Sequence, residues 1–160
     1  MASDTPGLKT RPSYSACLLL LLAISCGSSV PQPAALELSR EPCGFCRMLV
    51  SDQRFASQIV APLEDPKFFD DMGCLAHYLE THPTLPRGAV VYVADHRTKA
   101  WVRADQAVYT RVDSLTAPMG SHIVAHESAA SRASDADAAS GTTISAADVF
   151  PGGRVPGGPK

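Results

Sequence analysis

The stretch EPCGFCRML at residues 41–49 carries Cys43 and Cys46 in C-x-x-C spacing, with Met48 two places after the second cysteine. Three chemistries fit such a set. A C-x-x-C at a helix N-terminus makes a thiol–disulfide pair, because the helix dipole lowers the pKa of the first thiol. Structural zinc takes four ligands, and Cys74 with His77 forms a C-x-x-H that completes a set with Cys43 and Cys46. A thiolate beside a thioether is a soft pair, and soft pairs select Cu(I).

The residues after Cys46 weigh between these chemistries. GFCRMLVSD alternates apolar residues and predicts a strand rather than a helix, and no strand-rich run lies upstream. The redox motif then lacks its helix, although TAPMGS does place Pro118 ahead of a strand, as the cis-proline loop of thioredoxins does. For zinc, Cys74 and His77 sit within a helical segment rather than on a knuckle, where a lone cysteine is commonly a small buried hydrophobe. On a strand, residues two apart share a side. The Cys46 thiolate and Met48 thioether would then stand together, their Cα atoms roughly 6–7 Å apart. Met119, in APMGS, offers a second thioether on a loop. Few soft ligands on loops and strand ends suit a carrier, because low coordination leaves room for ligand exchange. The plainer reading is that Met48 fills a core. Asp70 and Asp71 are adjacent and point apart, so an N-cap role for Asp71 accounts for the pair without catalysis. Trp101 reads as an apolar anchor. No Ser/His/Asp order or glycine-rich phosphate loop is present.

The elements that must position these residues can be read from periodicity. FASQIVAP (55–62) predicts a strand paired with the Cys46 strand across DQR. Met72, Leu75, Ala76 and Leu79 recur at helical spacing after Asp71, and Pro83 and Pro86 stop that helix. GAVVYVADH (88–96) predicts a buried strand with KAWVRAD as its hairpin partner across HRT. AVYTRVDS and SHIVAHES (121–128) predict two more strands. AASRASDADAAS (129–140) predicts a helix stopped at Gly141, and TTISAADVF a closing strand. The order is β-β-α-β followed by β-β-β-α-β. It implies an α+β fold of two similar ββαβ halves, a mostly antiparallel sheet with helices on one face.

The 160 residues are 45% hydrophobic and 19% charged, with a net charge of −2 and no basic run, which leaves no nucleic-acid footprint. Five cysteines, scattered, do not make a disulfide scaffold. Lys9 and Arg11 precede the apolar run ACLLLLLAIS (16–25), too short to span a bilayer and right for a signal segment. Its end, LAISCGSS, is similar to the lipobox of bacterial lipoproteins, in which Cys26 would carry the lipid; Ala23 stands where leucine is commoner. The alternative is an ordinary secretory signal with Cys26 incidental. The expected organisation is a signal peptide at 1–25, a linker at 26–41, a domain at 42–150 and a Gly/Pro tail at 151–160. The signal segment implies export to an oxidising envelope compartment, with the chain anchored to the membrane through lipid. Loss of 1–25 removes Lys9, Arg11 and Asp4, leaving 12 basic and 15 acidic residues.

CGFCRMLVSDQRFASQIV, FFDDMGCLAHYL, AVVYVADHRTKAWVRADQAVY and TAPMGSHIVAHES, taken together and in that order, resemble the NosL family over about residues 42–146. The resemblance implies a copper-binding envelope lipoprotein that serves nitrous oxide reductase assembly, built from two related ββαβ halves. It implies a Cu(I) site centred on Cys46 and Met48, with Met119 and Cys43 as further ligands, an apo-cuproenzyme as client, and no turnover of its own. The chain departs from the family pattern at His122 and His126, where a glycine and an aromatic are expected. Sharing a strand face with Val124, those histidines read as solvated rather than as extra ligands. Two other classes stay open: a thiol–disulfide oxidoreductase using Cys43 and Cys46, and a lipoprotein module with structural zinc.

Overall fold

The computed structural model describes Met1, residues 30–150 and Val155. The signal segment, Cys26 and the Gly/Pro tail other than Val155 lie outside the described residues. Two antiparallel sheets carry the fold. The first contains β1 (Ser57–Val60), β2 (Lys67–Phe69), β3 (Val90–Ala94) and β4 (Trp101–Arg103) in the order β2-β1-β3-β4. The second contains β5 (Val108–Arg111), β6 (Ile123–His126) and β7 (Thr142–Ile144) in the order β6-β5-β7. Helix α1 (Met72–Thr81) lies between β2 and β3, and α2 (Ala129–Ala133) between β6 and β7.

Each half therefore repeats one plan. A first strand takes the centre, its hairpin partner pairs on one side, and the strand after the helix returns antiparallel on the other. This is the α+β architecture of two ββαβ halves that the element order implies, with two sheets in place of one. The sheets meet where an isolated parallel bridge joins Asp95 to Ala125, closed by His96 N–H donating to the Ala125 carbonyl at 2.8 Å.

Central strands are buried on both faces, and this explains their composition. All five residues of β3 are buried aliphatic or aromatic side chains. In β1 the buried polar residues are Ser57 and Gln58, and Gln58 has a defined role. Its amide accepts from Ala34 N–H at 2.8 Å and donates to the Ala34 carbonyl at 3.2 Å, so residues 31–36 lie against the sheet. The Tyr92 hydroxyl, donating to the Pro31 carbonyl at 2.7 Å, fastens the same segment. Ala34 and Leu36 pack with Val50, Ala56, Phe68 and Trp101. Chain upstream of Pro42 is thus part of the fold's cover.

Three local readings of the sequence need correction. Residues 44–50 are a closed turn rather than a strand, and β1 pairs with β2 and β3 instead of with this segment. The helix expected over 129–140 breaks after Ala133 and resumes as a 3-10 turn at Ala136–Ala138. Asp135 causes the break: its backbone is extended and its carboxylate accepts from Asp137 N–H, which competes with helix continuation. Past β7 the chain forms a further short helix, α3 (Ala146–Val149), opened by a reciprocal capping box between Ser145 and Asp148.

Gly141 marks the tightest approach in the second half. A Cβ there would stand 2.5 Å from Thr110 Cγ2 and 2.7 Å from the Arg111 carbonyl oxygen. Both neighbours belong to the central strand β5 and cannot swing away. Gly141→Ala is therefore expected to destabilise the chain by about 2 kcal/mol. Thermal denaturation would read this as a fall in Tm of roughly 4–8 °C.

Candidate metal centre

The turn at 42–49 is built by backbone bonds that fold it into a sulfur cradle. Cys43 N–H donates to the Met48 carbonyl at 2.7 Å, and Arg47 N–H to the Cys43 carbonyl at 3.1 Å. Arg47 takes a left-handed conformation, φ +68°, which lets the chain reverse. Gly44 N–H donates to the Phe68 carbonyl at 2.7 Å and docks the turn on β2. Gly44 suits this contact because a Cβ would come within 3.0 Å of the Phe69 ring.

Cys43 lies at the bottom of the cradle, fully buried. The Cys74 thiol from α1 donates to its sulfur, and the backbone N–H groups of Asp70, Phe45 and Cys46 are also directed at it. The Cys74 bond is the largest cause and, with the backbone donors, outweighs burial, holding the Cys43 thiol down to about 4. Cys43 is accordingly the thiol of the three that gives up its proton most readily. Cys74 is pushed far up, first because its proton is held in the bond to Cys43 and then by burial. Burial also raises Cys46, partly offset by the Met48 N–H directed at its sulfur. The Sγ atoms of Cys43, Cys46 and Cys74 lie within 4.8 Å of one another. All three are free thiols.

Helix α1 brings Cys74 to the cradle. As its sequence implies, the helix starts at Met72 with Asp71 as N-cap, whose carboxylate accepts from Gly73 N–H at 2.6 Å. The other Asp71 oxygen accepts from Met119 N–H at 3.2 Å and Ser121 N–H at 3.4 Å. One buried carboxylate thus ties the Met119 loop to the helix that carries Cys74. Asp70, also buried, does different work. It accepts from Ser51 N–H at 2.8 Å and from the Ser51 hydroxyl at 3.1 Å, securing the chain just past the turn.

Of the residues singled out in the sequence, Cys43 and Cys46 converge, and Cys74 joins them. Met48 and Met119 are 56% and 45% exposed and stand at the surface. His77 is apart from the thiols: its ring pairs with Glu80 at 3.1 Å and stacks on Phe45 with centroids 5.2 Å apart. The fourth ligand of the zinc reading is therefore engaged elsewhere. The redox reading finds its C-x-x-C on a turn rather than at a helix N-terminus, and the peptide bond before Pro118 is trans. The histidines of the second half are not both solvated: His126 is fully buried, while His122, at φ +56° before β6, bonds the Leu115 carbonyl through Nδ1 at 2.8 Å. Cys74 was visible in the sequence only as the C-x-x-H cysteine, because its approach to Cys43 is a tertiary contact.

A cluster of three thiols within 4.8 Å of one another suits a soft or borderline cation. Among the described residues no helix is long and apolar enough to cross a membrane. The family model described as NosL matches residues 34–152, most of the chain. Neither the curated proteins nor the solved structures contain a match.

Proposed function

The chain belongs to the NosL family, a family of copper-binding accessory proteins, and from that premise we propose that it carries Cu(I) outside the cytoplasm. In this reading a lipid on Cys26 holds it at the membrane. It hands copper to an apo-cuproenzyme, by family nitrous oxide reductase, and catalyses no reaction itself. The observation that carries the reading is the convergence of three thiols in a cradle of backbone donors. Cys43 and Cys46 supply sulfur from the turn and Cys74 from α1. Met48, on the same turn, and Met119, on the loop tied to α1, would supply exposed thioethers to which a departing Cu(I) could pass. Thioethers are what favour Cu(I) over zinc in such a set.

Anaerobic titration of the reduced chain with Cu(I) against a chelator of known affinity tests this. One equivalent is expected to bind, and Met48→Ala to weaken binding about tenfold, the loss of roughly 1.4 kcal/mol. Unchanged binding by Met48→Ala, together with turnover of a disulfide substrate by Cys43 and Cys46, would replace the copper reading with the oxidoreductase one. A fold that arrives loaded with zinc and melts on chelation would make the site structural.

A further inference from the structure

A second cluster of ligating groups shares no residue with the thiols. His96 lies just past β3, His126 is the last residue of β6, and Asp135 stands between α2 and the 3-10 turn. All three are buried, the histidines at 2% and 0% exposure and Asp135 at 7%. A single carboxylate oxygen, Asp135 Oδ2, faces both rings: His96 Nδ1 at 2.7 Å and His126 Nε2 at 2.9 Å. The rings meet edge to face with centroids 6.3 Å apart, and Phe55 closes on His96 from another side at 5.3 Å. Asp135 Oδ1 is held separately, accepting from Asp137 N–H at 3.1 Å.

The surroundings fix these groups firmly. Asp95 beside His96 is fully buried and accepts from the backbone N–H groups of Arg97, Thr98 and Glu127 and from the Ser131 hydroxyl. It thereby joins the turn after β3, the end of β6 and α2, the elements around all three ligating residues. The outer ring nitrogens, His96 Nε2 and His126 Nδ1, are buried and have no hydrogen-bond partner among the described residues. No described residue on the far side fixes the tautomer, so each ring can move its proton outward and turn a lone pair toward Asp135.

We propose that His96, His126 and Asp135 form a second metal site, for a borderline divalent cation such as Zn(II), distinct from the soft thiol cluster. Two imidazoles and a carboxylate suit such a cation and lack the sulfur that Cu(I) prefers. The ligating atoms already lie within 4.8 Å of one another. Tetrahedral coordination with bonds of about 2.0–2.1 Å sets ligand atoms about 3.3 Å apart. The nitrogen–oxygen separations of 2.7 and 2.9 Å would open by about half an ångström to admit the ion. On binding, each ring proton moves from the nitrogen facing Asp135 to the outer nitrogen, and the carboxylate stays ionised. Three protein ligands leave a fourth position for water.

The experiment uses the full reduced chain labelled with 15N, titrated with Zn(II) alone while the ring nitrogens of the five histidines are followed by NMR. His96 and His126 are expected to shift to metal-bound values together, with His77, His82 and His122 unmoved. Co(II) distinguishes the sites further. Its visible bands at this site should appear without sulfur charge transfer, survive Cys46→Ser and weaken at least tenfold in Asp135→Asn, which keeps the cap to Asp137. Ring nitrogens of His96 and His126 that stay unmoved at millimolar Zn(II) would overturn the proposal, leaving the trio a hydrogen-bonded strut. Undiminished Co(II) bands in Asp135→Asn would do the same. Should Asp135→Asn fail to fold, the wild-type titration still decides.

Discussion

Replacing Cys43 with serine is expected to weaken Cu(I) binding by on the order of a thousand-fold, about 4 kcal/mol, and by more than Met48→Ala does. The reason is the position of Cys43 among its donors. Its sulfur receives the Cys74 thiol and three backbone N–H groups, and it is the thiol held down to about 4. A metal displaces a proton most easily from this sulfur, because its surroundings lower Cys43 while they raise Cys46 and Cys74. Serine can accept the same N–H groups through its hydroxyl, so the turn should persist and the loss should report on the ligand. Competition with a Cu(I) chelator, checked by circular dichroism for an intact fold, measures it. Retained affinity in Cys43→Ser beside a large loss in Met48→Ala would return the centre of the site to Cys46 and Met48, where the family resemblance alone puts it.

The difference between those two centres shows what the sequence could and could not supply. The β3–β4 hairpin, helix α1 and its Asp71 cap were legible because each is local, whereas the hairpin read across DQR does not form. Alternation marks the strands, HRT marks the turn between β3 and β4, and an aspartate before an apolar helical stripe marks the cap. The turn at 42–49 was not legible, because its apolar residues alternate as a strand's do. What makes it a turn is the left-handed Arg47 and the bond that closes Cys43 onto Met48, neither of which composition reveals. Cys74 reaches Cys43 only through the docking of α1. The buried trio of His96, His126 and Asp135 was hidden for a similar reason: polar residues at strand ends look solvated until the second sheet and the broken helix close over them.

Asp71→Ala is expected to destabilise the chain by about 3 kcal/mol and to weaken Cu(I) binding about 10–100-fold, although Asp71 touches no metal. Removing a helix cap costs about 0.5–2 kcal/mol, and leaving buried N–H donors unpaired costs about 1–3 kcal/mol. Here the same carboxylate caps α1 at Gly73 and holds the backbone of Met119 and Ser121. Its loss frees both the start of the helix that carries Cys74 and the loop that carries Met119. Residues that orient ligands without binding metal typically carry an effect of about 10–100-fold on affinity. Asp71→Asn separates the two roles. Asparagine caps a helix about as well as aspartate, so most of the stability should return. Its amide, however, presents one acceptor and one donor, and it cannot accept from Gly73 and from the Met119 loop through two separate oxygens. Urea denaturation and chelator competition on both variants read stability and affinity independently. Wild-type affinity in Asp71→Asn would mean that the Met119 loop takes no part in holding copper. Stability restored while affinity stays low would place Met119 at the site through the carboxylate that ties its loop to α1.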